Sequence, residues 1–81
     1  MNKNKLQYKV TTKKGNVYIW NFTEHLPKEH EEYYGNGIYI SAECGHYNWI
    51  DCRYMKYNFR TICENWLKNW YGKNLLKFEQ I

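Results

Sequence analysis

The chain has little arginine, one aspartate and one proline. Two of its twelve basic residues are Arg, Asp51 is the only Asp, and Pro27 is the only Pro. Arg is the side chain that forks onto phosphate or guanine, whereas Lys offers a point charge, so base-specific nucleic-acid readout has few reagents. There is no apolar run of membrane-spanning length and no signal peptide. No CxxC pair is present, no glycine-rich phosphate loop, and no zinc-finger or helix-turn-helix spacing. Gly35, Asn36 and Gly37 read as a turn. The three cysteines, Cys44, Cys52 and Cys63, are an odd count. With no leader, they point to free thiols in a reducing cytoplasm.

Aromatic residues are abundant. Sixteen of 81 residues are Phe, Trp or Tyr, nine of them Tyr. Each large ring buries roughly 150–250 Å². Residues 1–81 make one domain, too small to enclose so many rings. Some must face outward, where Tyr and Trp are favoured in contact surfaces. The formal charge of +4 is segregated. Residues 1–20 carry five Lys and no acid, and residues 21–45 carry five Glu against Lys28.

Hydrophobic periodicity predicts an α+β fold. Lys5 to Thr12 alternates, with Leu6, Tyr8 and Val10 on one face, which is the period of a half-buried strand. Gly15 offers the positive φ of a turn. Asn16 to Thr23 follows as a strand apolar on both faces, which fits a central strand or one with a face covered by a partner. Pro27 to Gly35 fits a short helix of two turns or a loop. Strands are predicted over Gly37 to Glu43 and Trp49 to Tyr54, joined by a turn from Cys44 to Asn48. Residues 52–57 also fit a helical period. From Asn58 to Tyr71, Phe59, Ile62, Cys63, Trp66 and Trp70 form one stripe, widened by Leu67, with Asn58 as N-cap and Gly72 as terminator. Asn74 to Ile81 alternates again, with Leu76 and Phe78 on one side. The expected order is β-β-(short α)-β-β-α-β: an antiparallel sheet of four to five strands with one amphipathic helix packed on it.

Four residues, Cys44, His46, Cys52 and Cys63, are of zinc-ligating type, but their spacing matches no standard site and Cys63 lies on the helix stripe. Buried or free thiols are the simpler expectation, so no metal or other cofactor is assigned. A Cys44–Cys52 bridge could span a tight hairpin, though a reducing compartment opposes it. His25, Glu29 and His30 could meet a metal only on a helix, and Pro27 interrupts that spacing. Cys44 and His46 lack the orienting group of a nucleophile–base pair. Asp51 and Arg53 share a strand face and suit a surface ion pair or a polar contact among rings.

With no catalytic constellation, the chain reads as a non-enzymatic module that binds a cellular or host protein. Tyr18, Trp20 and Tyr39 are the candidate surface rings, and Lys13, Lys14, Glu31 and Glu32 the candidate electrostatic contacts. The Lys- and Asn-rich vocabulary resembles that of an AT-rich genome, where small inhibitors are often carried by phages or mobile elements. Nucleic-acid binding through the basic N-terminal hairpin, with Tyr18 and Trp20 stacking on bases, is the alternative. Homodimer formation through an edge strand is a further expectation.

Overall fold

The structure, a computed structural model, describes residues 4–25, 37–52 and 58–81. Five strands, β1 (Lys5–Thr12), β2 (Val17–His25), β3 (Gly37–Ala42), β4 (Tyr47–Asp51) and β5 (Leu75–Gln80), form one antiparallel sheet in the order β4-β3-β2-β1-β5. Among the described residues, one α-helix, α1 (Phe59–Tyr71), and a 3-10 turn (Gly72–Asn74) lie between β4 and β5 in the chain. Because β4 and β5 are the two outer strands, the segment bearing α1 runs from one edge of the sheet to the other. The predicted α+β class and single sheet are therefore present, with the doubly apolar β2 at the centre. The short helix expected over Pro27 to Gly35, and Arg53 of the expected Asp51–Arg53 pair, lie outside the described residues. Among the described residues, no helix is long and apolar enough to cross a membrane.

Both hairpins close in the same way. Gly15 bonds its N–H to the Thr12 carbonyl at 2.9 Å, and Thr12 bonds its N–H to the Asn16 carbonyl at 2.9 Å. Gly45 and Ala42, then Ala42 and His46, repeat that pair of bonds at 2.9 Å each. The two glycines have φ of 86° and 104°, a left-handed conformation costly for any side chain. Each makes a three-residue loop with glycine in the left-handed position. The tight second loop starts the strand earlier than the expected Trp49: β4 runs Tyr47–Asp51, and residues 53–57, which hold the rest of the expected strand and of the alternative helical period, lie outside the described residues.

Cross-strand register assigns the faces. Tyr8 lies opposite Trp20, Phe22 opposite Ile40, and Trp20 opposite Ala42. These residues share the face that α1 covers, together with Val10 and Ile38, and all are buried. The helix answers with Cys63 and Leu67, both fully buried, and with Phe59, Ile62, Trp66 and Tyr71 packed around them. Its stripe is thus centred on Cys63 and Leu67, and Trp70 lies on its margin. Burying Leu67 contributes about 1.5–3 kcal/mol. Two polar ties fix the helix in place: Tyr8 Oη donates to Glu64 Oε2 at 3.1 Å, and Trp20 Nε1 donates to Tyr71 Oη at 2.7 Å.

The helix ends as the sequence implies. Asn58 Oδ1 accepts from the Thr61 N–H at 3.0 Å. At the other end Gly72, with φ of 54°, returns its N–H to the Lys68 carbonyl. In β5 the expected alternation slips. Thr11 pairs with Lys77 but Thr12 pairs with Leu75, so Leu76 is the extra residue of a bulge. Leu76 is consequently 59% exposed, while Leu75 and Phe78 pack on the core.

Candidate functional site

The two hairpin loops lie at one end of the sheet, where the C-terminal end of α1 also arrives. Lys13 donates its backbone N–H to the Asn74 carbonyl at 2.8 Å, joining the first loop to the 3-10 turn. Glu43 donates its N–H to the Ile19 carbonyl at 3.1 Å, joining the second loop to β2. These ties frame an open cleft of about 270 Å³ lined by Lys14, Tyr18, His46, Trp70 and Tyr71 among others. That is just below the usual size of ligand pockets, about 300–1,000 Å³.

Ring contacts organise its walls. Tyr18 stacks on Tyr71 with centroids 6.1 Å apart and planes at 30°. His46 lies nearly parallel to Trp20, at 6.2 Å and 14°, and edge-on to Trp70 at 5.7 Å. Trp70 stacks on Trp66 at 5.0 Å and 15°. Offset and edge-to-face arrangements of this kind hold aromatic clusters rigid. Burial raises the pKa of the Tyr71 hydroxyl, although the Trp20 N–H opposes the shift. Tyr71 therefore stays a neutral acceptor for the indole at ordinary pH. Thr12, Asn16 and Asn74 add polar groups to the lining. Lys13, Lys14 and Lys73 are exposed at this same end.

The expected contact residues do not form one surface. Tyr18 is half-buried in the cleft, and Lys14 lines it with Lys13 next in sequence. Trp20, expected at the surface, is 1% exposed. It is corrected to a core residue because α1 covers that face of β2 and the Trp66, Trp70 and Tyr71 rings surround it. Tyr39 is exposed on the opposite face of the sheet, 4.7 Å from Trp49 and 5.5 Å from His25 between ring centroids. Glu31 and Glu32 lie outside the described residues. Of the twelve described Phe, Trp and Tyr rings, Tyr8, Trp20 and Phe22 are buried, and Tyr39, Tyr47 and Trp70 are exposed. The surplus of rings therefore does reach the surface, though divided between two faces.

Sequence reasoning missed His46, Trp70 and Tyr71 as members of one site. The available signal was position: Trp70 and Tyr71 occupy the last helical turn before Gly72, and His46 directly follows Gly45. All three cysteines are free, Cys44 exposed and Cys52 and Cys63 buried, so no Cys44–Cys52 bridge joins the hairpin. Among the described residues, no three His, Cys, Asp or Glu gather closely enough to hold a metal. Burial pushes the Cys63 thiol up to about 12, and burial also raises Cys52. No protein-family model, curated protein or solved structure matches this chain.

Proposed function

We propose that this domain is a non-enzymatic binding module that captures another protein at the cleft between its two hairpin loops. The supporting observation is the convergence of Tyr18, His46, Trp70 and Tyr71 on one open cleft, with Lys13, Lys14 and Lys73 at the same end. Rigid rings give large contact area at low entropic cost, and surrounding charge speeds encounter. Three free thiols suit a reducing cytoplasm. An inhibitor or decoy carried by a phage or mobile element and aimed at a host protein is the specific form proposed. Its support is compositional, the ten Asn and ten Lys against two Arg.

Nucleic-acid binding is the second reading, favoured by Lys13 and Lys14 on a loop beside half-buried Tyr18. Trp20, the other ring expected to stack on bases, is buried, which leaves fewer rings for successive bases. Affinity capture with the purified domain, before and after nuclease treatment, separates the two. Nuclease-resistant recovery of one protein, lost with the Lys13→Glu/Lys14→Glu variant, supports protein binding. Recovery only through nucleic acid rejects it.

A further inference from the structure

We infer that the cleft receives a single aromatic side chain from an acidic protein segment. The inference rests on the protein-binding reading above and specifies the chemistry of its occupant.

Size comes first. About 270 Å³, open to solvent, admits one ring and its immediate backbone. Extended single-stranded nucleic acid instead tracks a long basic groove and stacks several successive bases. The other exposed rings among the described residues, Tyr39 and Tyr47, do not continue the cleft in such a line, because both sit on the other sheet face.

The walls come second. The stacked Tyr18–Tyr71 pair, His46 and Trp70 present ring faces and edges, with buried Trp20 behind them. The tie from Trp20 Nε1 to Tyr71 Oη joins that backing ring to the pair, so the walls are organised before any partner arrives. Trp70 is 46% exposed and has ring surface to cover. Thr12, Asn16 and Asn74 offer hydrogen bonds to the backbone of an entering segment.

Charge decides the flanks. Lys13, Lys14 and Lys73 stand around this end, and Glu43 is the acid on the neighbouring loop. The carbonyl end of α1 lies here too and disfavours anions weakly. Gly72 N–H satisfies one of those carbonyls, and Lys68 in the last turn offsets their partial charge. The balance favours carboxylates on both sides of the inserted ring.

The test is an amide chemical-shift titration of the 81-residue protein with capped pentapeptides. The probe is Asp-Glu-Phe-Glu-Asp. The controls are Asp-Glu-Ala-Glu-Asp, Gly-Gly-Phe-Gly-Gly, Lys-Lys-Phe-Lys-Lys and an oligothymidylate. The expected result is perturbation of Tyr18, His46 and Trp70 by the acidic Phe peptide, with affinity at least about tenfold above each control. Lys13→Glu/Lys14→Glu, on an exposed loop, should weaken binding about tenfold, and so should raising salt from about 50 mM to about 500 mM. Trp70→Ala should abolish it, with thermal melting confirming that the variant folds. Equal binding of the neutral or basic Phe peptide overturns the charge assignment while leaving protein capture intact. Equal binding of the Ala peptide, or no peptide binding at all, overturns the ring assignment. Perturbation of the cleft by oligothymidylate alone overturns the protein-binding reading itself.

Discussion

Tyr8 links the middle of the sheet to the helix, and replacing it with Phe should change how stability depends on pH. Its ring is 1% exposed, edge-on to Phe22 at 5.8 Å and to Phe78 at 5.7 Å, and its hydroxyl donates to Glu64. Burial first, then the bond to Glu64, raises its pKa from 10.0 to about 12. The folded chain thus disfavours tyrosinate, while the unfolded chain ionises freely above pH 10. The stability held by neutral Tyr8 is complete below pH 10 and is lost as pH climbs toward 12. At about 1.4 kcal/mol per unit, the loss is about 1.4 kcal/mol at pH 11 and at most about 3 kcal/mol at pH 12. Tyr8→Phe removes this titration but also one hydrogen bond. Glu64 is partly solvated and lies 3.9 Å from Arg60, so the bond is worth about 1 kcal/mol at pH 7. Urea unfolding under reductant should find the variant less stable by about 1 kcal/mol at pH 7 and no less stable than the parent near pH 11. Cys63 titrates in both proteins and drops out of the difference. A gap that stays constant from pH 7 to pH 11 would refute a desolvated, proton-holding Tyr8.

Other expectations follow from burial and backbone. An alkylating reagent at pH 8 should modify exposed Cys44 in the native protein, and Cys52 and Cys63 only at the rate of unfolding, as read by mass spectrometry. Leu67→Ala should cost about 2–5 kcal/mol in denaturant unfolding, whereas Leu76→Ala, on the exposed bulge, should cost under about 0.5 kcal/mol. Gly15→Ala and Gly45→Ala should each cost about 1–2 kcal/mol, although a Cβ meets no atom within 4 Å at either site, because both glycines hold positive φ. Equal melting temperatures for these variants and the parent would contradict the loop geometry.

Much of the fold was legible because its signals are local. Strict alternation marked β1, Gly15 marked the first loop, and Asn58 and Gly72 bracketed α1. The apolar residues on both sides of β2 fit its place at the sheet's centre. What sequence could not say was which face of β2 the helix would cover, and that choice buried Trp20 and left Tyr39 outside. The β5 bulge was hidden because one extra residue reverses an alternation that otherwise reads cleanly. Gly45 shortened the second loop and moved β4 earlier than expected. The cleft was least legible: Tyr18, His46 and Trp70 come from a strand, a loop and a helix, and only the crossing of α1 over the sheet brings them together.

The claim that the end cleft is the contact surface can be tested most directly with two surface variants and one captured partner. Trp70→Ala/Lys13→Glu/Lys14→Glu alters the cleft, and Tyr39→Ala/Tyr47→Ala alters exposed rings on the opposite sheet face. Surface plasmon resonance against the partner should show binding weakened at least about a hundredfold by the first set and less than about threefold by the second. The reverse order, with the cleft variant binding normally, would contradict the account.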